Sequence, residues 1–115
     1  EDHVALDEQA FEALADAVLG RIESVLEDEA DDLEVDRQGG VLTIETADGA
    51  TFVLNKHAPL RQLWLSSPVS GASHYAYDAD RKRWISTRGG ADLSDVLSHD
   101  LSTAAGLTLV FEPDA

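Results

Sequence analysis

Apolar residues recur at three- and four-residue intervals between positions 7 and 29. Phe11, Leu14, Ala15, Val18, Ile22 and Val25 form one stripe of an amphipathic helix. Asp7 is placed to cap it, since its carboxylate can accept from the free amides of the first turn. From Asp31 the period falls to two. Leu33 and Val35 alternate with Asp32, Glu34 and Asp36, which predicts a strand through Arg37. Gln38-Gly39-Gly40 then turns the chain into a second strand, Val41–Thr46, with Leu42 and Ile44 inward. Asp48-Gly49 is a hairpin turn into Thr51–His57, where Phe52 and Leu54 face in while Thr51, Val53 and Asn55 face out. A proline turn follows, and the next strand sets Leu63 and Leu65 against Gln62, Trp64 and Ser66 on opposite faces.

After a loop over Pro68–Gly71, Tyr75 and Tyr77 alternate with His74 and Ala76 in a fifth strand. Asp78–Lys82 make a turn, and Arg83–Thr87 form a short last strand with Trp84 in or at the edge of the core. Arg88-Gly89-Gly90 breaks the pattern. A second helix is predicted from Asp92 to Ala105, striped by Leu93, Val96, Leu97, Leu101 and Ala104, with Gly106 as its stop. The apolar tail Leu107–Phe111 should lie down on the domain. Short hairpin connections imply an antiparallel meander, and two helices must cover one of its faces. The expected fold is therefore α+β, a two-layer sandwich with N- and C-terminal helices on one face of a roughly six-stranded antiparallel sheet. One domain spanning residues 1–115 is expected.

Charge changes this picture in one region. The net charge is −15, and residues 1–36 hold 14 of the 23 acids against the single Arg21. Glu8, Glu12, Asp16, Glu23 and Glu27 fall within an arc of about 100° beside the apolar stripe. The pairs 8/12, 12/16 and 23/27 are like charges one turn apart, so the face is either a solvated surface or a seat for something cationic. Such a face repels nucleic acid and anionic membrane. No run of apolar residues is long enough for a membrane helix. No signal or transit segment precedes the first helix, which leads to the expectation of a mature or trimmed form. Cysteine is absent, which excludes disulfides, thiolate metal sites and a self-ligated iron–sulfur cluster.

No phosphate loop, nucleophile elbow or HExxH motif occurs, so no catalytic residues are assigned. His3, His57, His74 and His99 are far apart and read as ordinary polar residues. Trp64 stands outward among Asn55 and Gln62, as an interface anchor or as a ring tucked under a loop or the C-terminal tail. The candidate metal ligands are Glu8, Glu12, Asp16, Glu23, Asp31, Asp32, Glu34 and Asp36. Carboxylates on an open surface would hold hard cations weakly, with water completing the shell.

The run Asn55-Lys56-x-x-Pro59-x-x-Gln62-x-Trp64-Leu65-Ser66-Ser67-Pro68, followed by Ser70-Gly71, Tyr75 and Trp84, resembles the signature of the frataxin family. The flanking helices fit as well, so the resemblance covers nearly the whole chain, and the serine-proline-glycine run is more like mitochondrial frataxins than the bacterial branch. The resemblance implies an iron-binding regulator of iron–sulfur cluster assembly in the mitochondrial matrix. It would dock as a monomer on the cysteine desulfurase–scaffold complex and promote sulfur transfer. It implies Fe²⁺ as the ion, with other divalent cations able to substitute, and Asn55, Lys56, Gln62, Trp64 and His74 as partner-binding positions. His74 stands where several animal frataxins carry Arg, which would make a weaker, pH-dependent contact. The alternative implied by the family is an iron chaperone or store with ferroxidase activity, but no Glu-x-x-His pair of a diiron bundle is present.

Overall fold

The computed structural model describes residues 7–111. His3 and the two ends of the expected 1–115 span lie outside the described residues. Eight elements follow in order: α1 (Glu8–Glu29), β1 (Glu34–Gln38), β2 (Val41–Glu45), β3 (Thr51–His57), β4 (Gln62–Ser67), β5 (Gly71–Asp78), β6 (Arg83–Ser86) and α2 (Leu93–Ala105). The strands form one six-stranded sheet in the order β1-β2-β3-β4-β5-β6, and every pair is antiparallel. Both helices lie on one face, making the two-layer α+β sandwich.

Local chemistry places the ends of the elements. Asp7 caps α1 by accepting from the Ala10 amide at 2.7 Å. Asp92 caps α2 through the Ser94 amide, and its other oxygen accepts from Arg83 at 2.7 Å. Gly106 ends α2 in the left-handed conformation, at φ 73°, where a Cβ would be strained.

The core lies between the helices and the inward strand residues. Phe11, Ala15, Leu19, Ile22 and Leu26 of α1 meet Leu42, Ile44, Phe52, Leu54, Leu63, Leu65 and Tyr75 of the sheet, with Leu97 and Leu101 of α2. The stripe of α1 differs from the periodic reading in detail. Leu19 and Leu26 are fully buried, whereas Leu14 and Val25 only flank the core. Trp84 is 4% exposed and packs edge-on against Phe11 and Tyr77, with ring centroids 6.0 and 5.3 Å away. The first strand begins at Glu34 instead of Asp31, and the fifth begins at Gly71, well before Tyr75. The tail lies down as expected: Leu109 and Phe111 are buried while Val110 points to solvent.

Candidate functional site

The uncovered face of the sheet carries an ordered row. The register places Val41 opposite Asn55, Asn55 opposite Trp64, and Trp64 opposite His74, so four neighbouring strands contribute one outward residue each. His57, two residues beyond Asn55, pairs with Gln62 and so is a diagonal neighbour of Trp64. The result is a three-ring stack. The indole of Trp64 lies between the imidazole of His57, at 3.9 Å and 7° interplanar, and that of His74, at 4.2 Å and 12°. Its Nε1–H donates to Gln62 Oε1 at 2.8 Å, and Nδ1 of His57 accepts from the Leu60 amide at 3.4 Å.

The register holds the Trp64 ring on the open face, half-buried between its two histidine neighbours. Both of its flat faces are nevertheless covered by histidine, so it offers an approaching surface its edge, framed by two imidazole edges. Spacing alone makes His57 an ordinary polar residue, whereas the structure makes it one side of the stack. The two-residue alternation along β3 already put it outward beside Asn55.

Lys56 is not on this face. Its register partner is the buried Leu63, so its side chain leaves the sheet on the helix side. There its Nζ donates to Glu12 Oε1 and to Asp16 Oδ1, the latter at 3.1 Å. Hydrogen bonding to Glu12 raises the Lys56 pKa above its ordinary value, against partial burial and with further help from Asp16. Arg37, also on the helix side, reaches Asp16 at 3.4 Å and Glu23 at 3.7 Å. Lys56 therefore follows the alternation of its own strand and lies on the side away from Asn55, Gln62, Trp64 and His74.

The acidic ridge is divided by the same geometry. Glu12, Asp16 and Glu23 face the two cations that rise from the sheet. Glu8, Asp31 and Asp32 are exposed to solvent. Glu34 and Asp36 point to the opposite side of β1 from Arg37, with Glu34 directly across from Glu45 and Asp36 accepting from Gln38. The eight candidate metal ligands thus lie on α1, on the α1–β1 connection and on the side of edge strand β1 opposite Arg37. Among the described residues no three carboxylates or imidazoles converge on a common point. Any cation held here is bound by one or two carboxylates and water.

A buried polar lock supports the end of the open face. Asp100 of α2 is 1% exposed and accepts from the hydroxyls of Ser67 at 2.7 Å and Ser70 at 2.5 Å. Ser67 Oγ accepts in turn from the Val69 and Ser70 amides. The β4–β5 turn is thereby tied to the second helix.

A frataxin-like domain model matches residues 4–107. The chain belongs to the frataxin family. It is 35% identical over 111 residues to a protein of Cupriavidus metallidurans, covering 93% of this chain and 97% of the relative. It is 43% identical over 106 residues to one of Bordetella parapertussis, covering 89% and 94%. Both relatives are called iron-sulfur cluster assembly protein CyaY. Among solved structures, frataxin from Psychromonas ingrahamii superposes with a TM-score of 0.84 at 28% identity, covering 93% of this chain and 99% of that one. Trimeric frataxin of Saccharomyces cerevisiae, complexed with ferrous iron, gives 0.66 at 30% identity, with 92% of each chain covered. Of the partner-binding positions that the resemblance implies, Asn55, Gln62, Trp64 and His74 lie on the open face, and Lys56 turns to the helices.

Proposed function

We propose that this frataxin-family chain serves iron–sulfur cluster assembly by docking its open sheet face on the cysteine desulfurase–scaffold complex and regulating sulfur transfer there. The observation that carries this reading is the His57–Trp64–His74 stack between Asn55 and Gln62, on the side of the sheet that the helices leave uncovered. A ring held on both faces and hydrogen-bonded at its nitrogen loses little conformational freedom on association, so its edge acts as a preorganised anchor. The amide groups of Asn55 and Gln62 flank it with donors and acceptors. Ferrous iron is cargo in this reading. It is held weakly by carboxylates of α1 and β1 with water completing its shell, and other divalent cations compete for the same oxygens. The relatives' shared role and the ferrous complex of the yeast protein support it.

The test is sulfide production by a purified desulfurase–scaffold complex with and without the chain. Wild type is expected to change the rate and Trp64→Ala to leave it at the level of the complex alone. A Trp64→Ala variant as effective as wild type would remove the sheet face from the function.

A further inference from the structure

We propose that the open-face row takes a carboxylate side chain of the partner protein, and that docking tightens as His57 and His74 gain protons. The inference rests on the reading of the open face as the docking surface and names the chemistry which that surface recognises.

Three observations converge on it. The first is the polarity of the hydrogen bonds. An indole nitrogen can only donate, so the bond from Trp64 Nε1 fixes the Gln62 amide with its oxygen toward the ring and its NH₂ group away from it. The Leu60 amide donates to Nδ1 of His57, which assigns the proton of the neutral imidazole to Nε2. Among the described residues neither the Gln62 NH₂ group nor His57 Nε2–H has a partner, and no buried side-chain nitrogen or oxygen lacks one, so both donors are open to solvent. A row that has spent these acceptors and kept its donors is answered by an acceptor.

The second observation is charge. Around the stack on the open face stand Val41 of β2, Asn55 of β3, Gln62 of β4, Ala72 and Ala76 of β5 and Ile85 of β6, none of them ionisable. The charged groups that border this patch are few. Arg61 lies in the β3–β4 turn, where its Nη1 donates to the Ala58 carbonyl. Asp78 of β5 is opposite Arg83 of β6 and accepts from the Asp80 and Arg81 amides. Arg88 follows Thr87, whose amide donates to the His74 carbonyl. Glu34, Asp36 and Glu45 stand at the β1–β2 edge. A carboxylate approaching that edge meets like charge, whereas at the stack it meets two imidazoles.

The third observation is that the stack accommodates positive charge. Both imidazoles lie nearly parallel to the indole, at 3.9 and 4.2 Å, and a cation over the face of tryptophan is attracted by the ring. Imidazole is the side chain that changes charge between about pH 5 and 8. A proton entering at His57 Nδ1 displaces the Leu60 amide, a long bond at 3.4 Å, while the indole face holds the new charge in place. Each proton gained makes the bond to a facing carboxylate charge-assisted on both sides.

The experiment measures binding of the chain, labelled at its N-terminus, to the purified desulfurase–scaffold complex by fluorescence anisotropy at about pH 6 and about pH 8 and at one ionic strength. It compares wild type with His57→Gln/His74→Gln, Gln62→Glu, Trp64→Ala and His99→Gln. His99→Gln removes an imidazole exposed on α2. Gln62→Glu keeps an oxygen for the Trp64 N–H and replaces the free donor with a second carboxylate oxygen.

Wild type and His99→Gln should bind about three- to tenfold more tightly at the lower pH, the range of a partly exposed charge pair, and the double histidine variant should lose that gain. Gln62→Glu should bind about tenfold more weakly than wild type at the higher pH, because it sets like charges face to face. Trp64→Ala should not bind. A pH response kept in the double variant, or binding that Gln62→Glu leaves unchanged or strengthens, would overturn the carboxylate and leave docking on this face standing. Wild-type binding that weakens at the lower pH, with that trend lost in the double variant, would overturn it too and assign a cationic partner group. No binding by wild type at either pH, or Trp64→Ala binding like wild type, would overturn the docking reading together with the proposal.

Discussion

The two tryptophans should respond very unequally to truncation. Trp64→Ala removes two stacked ring contacts and the bond to Gln62, all on a solvent-facing surface. Aromatic pairs contribute about 0.5–1.5 kcal/mol each when desolvated, and a hydrogen bond about 1 kcal/mol. Solvent reduces each of these on an open face, and the two histidines can turn to water once released, so the expected loss is about 1–2 kcal/mol. Trp84→Ala instead opens a cavity between α1 and the sheet, beneath Phe11 and Tyr77. Large aromatic truncations in cores cost about 3–5 kcal/mol. At roughly 4–8 °C per kcal/mol for a domain of this size, the two variants should melt many degrees apart. The assay is urea unfolding followed by far-UV circular dichroism, which does not depend on the tryptophan being replaced. Wild type and Trp64→Ala should share one m-value, since neither state changes much in exposed surface. A loss above about 3 kcal/mol for Trp64→Ala, comparable with core truncations, would refute the argument. Trp64 would then be a structural residue, and loss of activity in that variant would say nothing about docking.

Asp100→Ala removes the acceptor of the Ser67 and Ser70 hydroxyls and leaves the buried Ser67 hydroxyl proton without its acceptor. The expected cost is about 2–4 kcal/mol by denaturant unfolding, with amide exchange quickening in the β4–β5 turn. Unchanged exchange there would show that the turn does not depend on α2. In alkaline solution two groups act in the same direction. Lys56 and Tyr75 both have pKa values raised in the folded chain, Lys56 by its hydrogen bond to Glu12 and Tyr75 by burial. Their contributions are therefore complete below the unfolded values of 10.5 and 10.0 and are lost as pH rises through the higher folded values. Stability should fall above about pH 10, and Tyr75→Phe should show a shallower fall there. An identical slope in the variant, measured by unfolding at successive pH values, would place the alkaline loss elsewhere.

Much of the architecture was legible because each hairpin is marked twice, by alternation and by a turn. Gln38-Gly39-Gly40, Asp48-Gly49 and the Pro59 turn fall between strands whose fully buried inward residues are strongly apolar, with Arg37 and Lys56 as inward exceptions near strand ends, so a register slip would bury further charge. The caps Asp7, Asp92 and Gly106 were legible for the same reason, since each answers a purely local need. Long-range polar pairing was not. Asp100 lies on the apolar side of α2 next to Leu97 and Leu101, and its partners are some 30 residues away, so helical periodicity alone shows only an anomaly. Lys56 is the more instructive miss. Alternation put it inward, between the outward Asn55 and His57, while the family signature drew it outward with its neighbours. An inward lysine makes sense only with counter-ions above the sheet, and those lie 40 and 44 positions earlier in the chain.

That crossing also explains how α1 tolerates its own charge. The repulsions 8/12, 12/16 and 23/27 each work against the helix by about 0.2–0.5 kcal/mol, and no basic residue stands in its last turn to complement the dipole. Lys56 and Arg37 offset the central part of this repulsion from the sheet side, where they also join the two layers. They do nothing for Glu27, Asp28 and Glu29, or for Asp31 and Asp32 in the connection to β1, all of which are exposed. Along α1, the acids at its C-terminal end thus add to the negative end of the helix dipole, while those at mid-helix are offset by the two cations. Carboxylates at mid-helix contribute to the fold through their ion pairs. Those at the helix end are exposed, repel one another and oppose the dipole, so replacing them with neutral residues should raise the stability of the domain.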